Sequence, residues 1–266
     1  MTLAEIKALL RTENKSGIKE IIEFKKAQFK TVATAFDSVQ QQEKTGANKE
    51  LSTSTDGDTD TMLKRTIIGN TYNWMDSHKD VHLDGTFSQS IKQRENKIWH
   101  LHDHEYKLTA KVGKPTKVYE KAVLWSDLGV DKTGFTTSLM MDTDIMKSMN
   151  EPIFIEYKDN TINQHSVGMY YVKMDLAVND KDEVEEFKVW NQHIDKLGNK
   201  DEAEKNGYFW AVKEAKLIEI SAVLEGSNSL TPTVEAKDIE PFKDTQIEPL
   251  KDTQNQGGTK GSLYFY

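Results

Sequence analysis

Residues 98–115 read IWHLHDHEYKLTAKVGKP, with histidines at 100, 102 and 104 and a glycine at 113 closing the run. In an extended strand, side chains alternate between faces. His100, His102 and His104 would then share one face, and Trp99, Leu101 and Asp103 the other. Three imidazoles on one strand face admit three readings: a zinc site, a single general base with two incidental histidines, or polar residues on a solvated face. His78 and His82 nearby lend the metal reading some support. The order HLHDH counts against it, because Asp103 and His104 come one position early for an HxHxDH set, and no HExxH occurs.

Working outward, the segments TIIGNTYNW, AVLWSDLG, GFTTSLMM, EPIFIEY, SVGMYYVKMDLAV and AKLIEISAVL are short, rich in β-branched and aromatic residues, and bounded by Gly, Asp or Asn. They predict strands. Between them, 143–150 and 179–207 are polar and poor in strand formers, and predict helices. The expected fold class is therefore α+β, with a β-rich core and peripheral helices. Ahead of it, Thr2 and Glu5 have capping-box spacing before Leu3, Ile6, Leu9 and Leu10. After a break at 14–17, an apolar stripe from Ile18 through Phe29 and Phe36 to Val39 predicts a second, longer helix.

Composition shifts divide the chain into a helical segment (1–43), a flexible linker (44–61), the main domain (62–235) and a tail (236–266). The linker is rich in Ser, Thr, Gly and Asp. Such a stretch cannot bury enough apolar surface to offset its ordering entropy. Its DGDTD run lacks the closing Glu of a calcium loop. The tail contains IEPFKDTQ followed at once by IEPLKDTQ, and Pro241 and Pro249 favour an extended spacer or docking segment.

The chain has 266 residues, no cysteine and a formal net charge of -8. It therefore forms no disulfide, thiol nucleophile or cysteine metal site, and general nucleic-acid binding is disfavoured because phosphate recognition wants clustered Lys and Arg. No run approaches the roughly 20 apolar residues of a membrane span, so a soluble intracellular protein is expected.

Two further segments carry candidate chemistry. In Ser166-Val167-Gly168, a hydroxyl stands two residues before a glycine whose backbone permits the close approach an oxyanion needs. In LIEISAVLEGSN, Glu219 and Ser221 share a strand face, where a carboxylate can orient a histidine ring. Each motif alone is also the ordinary pattern of a half-buried strand.

In their order along the chain these pieces are more specific. DVHLDGTFSQSI (80–91), then Leu101, His104, Glu105 and Gly113, then Ser166 and Gly168, and finally Glu219, Ser221, Val223 and Asn228 together resemble the prohead maturation proteases of tailed bacteriophages. These are serine proteases related in fold to herpesvirus assemblin. The resemblance covers roughly residues 62–235. It implies a barrel-like, assemblin-type core, with Ser166 as nucleophile, His104 as base and Glu219 orienting the imidazole; His102 is the alternative base if the His-acid pair is His102-Asp103. Backbone donors near Gly168 would form the oxyanion region. The sequence departs from the family pattern in having Glu105 after His104 and Lys111-Val112 before Gly113. No metal and no cofactor is implied. The implied partners are a major capsid or scaffold protein as substrate and the chain itself, with no membrane or specific nucleic acid, inside a prohead in the host cytoplasm. A silent assembly protein of the same fold and a zinc hydrolase using His100, His102 and His104 are the competing readings.

Overall fold

The apolar and β-branched segments assemble into one mixed sheet. A computed structural model describes residues 1–30, 57–94 and 96–234, and among these residues there are eight strands and six α-helices. The strands are β1 (Met62–Thr71), β2 (Asp80–His82), β3 (Trp99–His102), β4 (Lys111–Leu124), β5 (Phe135–Met146), β6 (His165–Val178), β7 (Tyr208–Ala222) and β8 (Thr233–Val234). The helices are α1 (Leu3–Leu10), α2 (Ser16–Ala27), α3 (Ser88–Arg94), α4 (Glu151–Lys158), α5 (Val184–His193) and α6 (Lys200–Asn206). None of them is long and apolar enough to cross a membrane.

Strand β7 organises the sheet. Along one edge it pairs antiparallel with β6 from His165↔Ala222 to Val178↔Tyr208. Its other edge is shared by two short parallel strands, β2 on Trp210–Val212 and β3 on Glu219–Ala222. From β3 the sheet continues antiparallel through β4, β5 and β1 to β8. Among the described residues no ladder joins β6 to β1 or β8, so the sheet is mixed and open and does not close as the expected barrel.

The predicted strands correspond to β1 and β4–β7 with one exception. EPIFIEY, read as a strand, is α4. The Asn150 side chain accepts the Ile153 N–H, a proline sits in the first turn, and Phe154 and Tyr157, three apart, fill the buried face. The cap and the proline outweigh the strand preference of the isoleucines. Conversely, 143–146, read as helix, completes β5 between Met62–Arg65 of β1 and Gly113–Pro115 of β4. The polar stretch 179–207 does form helices, α5 and α6.

At the N-terminus the Thr2–Glu5 capping box forms as expected. The second helix is shorter than its apolar stripe predicts: it ends at Ala27, and Lys30 is already extended and bridged to Met169. Val32, Phe36 and Val39, most of the linker and the repeated tail lie outside the described residues. The two N-terminal helices do not stand apart from the sheet. Ile6, Leu10 and Ile18 are buried in the same cluster as Val167, Met169, Leu217 and Ile220. Under α4, Leu63, Val112, Ile145, Phe154 and Tyr157 form a second layer, and α5 and α6 cover a third around Trp190, Leu197 and Phe209.

Candidate active site

The β6–β7 ladder places Ser166 opposite Ser221 and Gly168 opposite Glu219. Directly paired residues of antiparallel strands project to the same face, and residues two apart on a strand share a face, so Ser166, Gly168, Glu219 and Ser221 line one patch. His104 reaches this patch from the far edge of β7. Parallel pairing carries β3 along β7 only as far as His102↔Ala222, after which Asp103 and His104 both adopt left-handed backbone, with φ 51° and 55°. Aspartate and histidine both enter that region more readily than most residues, so this sequence suits a sharp turn away from the strand. The turn swings the His104 N–H onto Ser221 Oγ at 3.2 Å and its Nδ1 onto Glu219 Oε1 at 2.5 Å.

Hydrogen-bond accounting separates the two serines. Ser221 donates to Glu219 Oε2 at 2.6 Å and accepts from His104 N–H, so its hydroxyl is committed to holding the carboxylate. Ser166 is 6% exposed, and its hydroxyl makes no side-chain hydrogen bond among the described residues. Glu219 is fully buried, and its carboxylate accepts the hydrogen bond from His104 Nδ1–H. The other ring nitrogen, Nε2, is buried without a partner. A carboxylate, an oriented imidazole with a free Nε2 and an uncommitted serine hydroxyl are the parts of an acyl-transfer triad.

Two glycines make room for this arrangement. A Cβ on Gly168 would lie 1.9 Å from Glu219 Oε1, so any side chain there would push the carboxylate out of its place. A Cβ on Gly113 would meet Thr143 Oγ1 at 2.7 Å, the Asp144 carbonyl at 2.8 Å and His100 Nδ1 at 3.1 Å. Gly113 is thus tied to His100 packing, and Gly168 to the Glu219 carboxylate.

The three histidines of 98–115 do not share a face. His100 is fully buried, with Nδ1 3.2 Å from Thr143 Oγ1 and Nε2 3.1 Å from Tyr157 Oη. Tyr157 Oη also lies 2.9 Å from His165 Nε2, and His165 Nδ1 lies 2.9 Å from the Thr231 carbonyl. Because a carbonyl only accepts, His165 carries its proton on Nδ1. Tyr157 therefore donates to His165 Nε2, His100 Nε2–H donates to Tyr157, and Thr143 donates to His100 Nδ1. Burial pushes His100 down to about 3 and His165 down to about 4, so both rings stay neutral. His102, the alternative base, instead points Nδ1 at the carboxylate of Asp103, 3.0 Å away, in the solvent-facing turn. The histidine zinc site therefore has no geometry here. His82, offered in its support, is buried and stacked on Phe87, and burial pushes it down to about 4.

One group of potential metal ligands does converge among the described residues: Asp76, His78 and Asp80, with ligand atoms within 4.8 Å of one another. Lys30 Nζ already sits between the two carboxylates, 2.8 Å from Asp76 and 2.7 Å from Asp80. No local pattern foretells this buried pairing, since the lysine lies 46 and 50 residues away. Tyr157 was missed for the same reason, and Ser221, already singled out beside Glu219, takes its full role only when the fold brings the His104 N–H to it. Asn228, part of the motif after Glu219, bonds the Thr71 carbonyl and the Leu230 N–H, anchoring the return loop to β1. Comparison of the chain with family models, with curated proteins and with solved structures returns no match.

Proposed function

We propose that the chain is a serine endopeptidase of the prohead-maturation type, cutting a scaffold protein or the scaffolding segment of a capsid protein, and itself, during phage assembly. The observation that carries this reading is the 2.5 Å contact between His104 and Glu219, residues 115 apart in sequence, on the sheet face that also holds Ser166. In the proposed mechanism Ser166 Oγ attacks the scissile carbonyl carbon while His104 Nε2 takes the hydroxyl proton. The tetrahedral adduct expels the amine, which receives that proton from His104. Water, deprotonated by the same nitrogen, then hydrolyses the acyl-enzyme and returns the serine. Glu219 holds the ring through Nδ1 and stabilises the imidazolium formed in each step. The assemblin-type reading of the core rests on the ordered motifs and on this triad geometry, with the open sheet as a departure from a closed barrel.

The test is co-expression with candidate capsid and scaffold proteins, comparing the native chain with Ser166→Ala by intact mass. Discrete cuts with the native chain alone are expected. No cuts with either, in a folded protein, would point to an assembly component of the same fold, and equal cuts with both would remove Ser166 from the chemistry.

A further inference from the structure

The residues after α2 make a contact beside the site that the helix packing does not require. Lys30 exchanges both backbone hydrogen bonds with Met169, N to O at 2.9 Å and O to N at 3.3 Å. This antiparallel pairing occupies the edge of β6 that β7 leaves open. The Phe29 ring lies over Gly168: its Cζ is 2.7 Å from where a Cβ would stand, the same point that Glu219 Oε1 approaches. The ring therefore abuts the carboxylate that orients His104, and it also packs on Tyr170 with centroids 5.1 Å apart.

The segment is tied down by buried charge. Lys30 bonds Asp76 and Asp80, and Lys25 bonds the other oxygen of Asp80 at 2.9 Å; both aspartate side chains are fully buried. Burial alone would push the Lys30 ammonium down, but the two carboxylates outweigh it and hold its pKa well above the usual lysine range. Breaking such a pair strands buried charges, which disfavours release. Meanwhile Ser166 is 6% exposed and His104 Nε2 is buried. The edge of β6 that β7 leaves open is the nearest place for an extended peptide to pair beside Ser166, and at Met169 that edge is already taken.

Resting on the serine-endopeptidase reading, we propose that Gln28–Lys30 is a built-in occupant of the place a substrate strand would take, so that the enzyme folds in a self-blocked state with Phe29 as the plug. Displacement of this segment, by an extended peptide or by cleavage near it, opens the site.

The test uses the purified full chain and a small fluorophosphonate, with the rate of mass addition at Ser166 as readout and Ser166→Ala as the control for position. The native chain is expected to label slowly. Phe29→Ala, which removes a half-buried ring and leaves the helices intact, should label about tenfold faster, because reactivity scales with the open fraction. Phe29→Leu should stay near the native rate. Equal rates for the native chain and Phe29→Ala would overturn the self-blocked state and leave the endopeptidase reading standing. No labelling of any variant, with native circular dichroism, would overturn both together.

Discussion

At Gly168 the decisive quantity is volume. A methyl group there would collide with Glu219 Oε1 at 1.9 Å and with the Phe29 ring at 2.7 Å. Gly168→Ala is therefore expected to lose the His104–Glu219 contact and most activity, and to destabilise the protein by about 1–3 kcal/mol through overpacking; peptide cleavage and urea unfolding of the same samples measure both. The serines offer a sharper contrast. Ser221→Ala removes the 2.6 Å bond that positions Glu219, so it should slow turnover while leaving the nucleophile in place. Ser166→Ala should abolish acylation altogether. A Ser221→Ala protein as dead as Ser166→Ala, yet folded, would make Ser221 the better nucleophile. These roles were half legible in sequence. Ser166, Glu219 and His104 stand out as motif residues, but which of two serines is free is a matter of hydrogen bonds between strands.

Between elements, α4 and the strands β3, β5 and β6 are joined by the chain Thr143–His100–Tyr157–His165–Thr231. Both imidazoles have folded-state pKa values below the ordinary 6.5, about 3 and about 4, so the unfolded chain binds protons first as the pH falls. Their contribution is complete above about pH 6.5 and drains toward pH 4 and 3, by roughly 1.4 kcal/mol per pH unit for each histidine. His82 adds to the slope with the same sign. Unfolding free energies measured from pH 7 to 4.5 should fall on this account, and His100→Asn should make the fall shallower; an unchanged slope would mean that His100 is not held neutral by burial. At fixed neutral pH, Tyr157→Phe leaves a buried imidazole donor and a buried acceptor unmet, a loss of about 1–3 kcal/mol for each group.

Across the whole molecule, the N-terminal helices and the sheet share one core. Ile6 is completely buried beside the strands that carry Ser166 and Glu219. Ile6→Ala should therefore cost about 2–5 kcal/mol and lower a single cooperative urea transition observed by both tryptophan fluorescence and circular dichroism. A separate early transition, with the sheet unmoved, would make residues 1–30 an appendage rather than part of the domain. The same arrangement ties the proposed self-blocked state to the fold, because the segment that leaves α2 is held by Asp76 and by Asp80, which lies on β2 across β7 from β6.

By itself the sequence determined what is local: the Thr2 capping box, the strand character of β1 and β4–β7, the helical stretch before β7, and the residue types of the candidate triad, whose chemistry is set by the side chains themselves. Alternation also put Glu219 and Ser221 on one face, since that follows from the strand period alone. Only the tertiary structure decided the rest. Whether His104 continued β3 or turned off it depended on β7 ending its parallel pairing at Ala222, and that turn alone separates one oriented base from a row of three histidines. The sheet edge left open beside Ser166, and the lysine that brings the chain's own N-terminal segment to it, depend on contacts between distant residues, whose pairing energies no local pattern encodes.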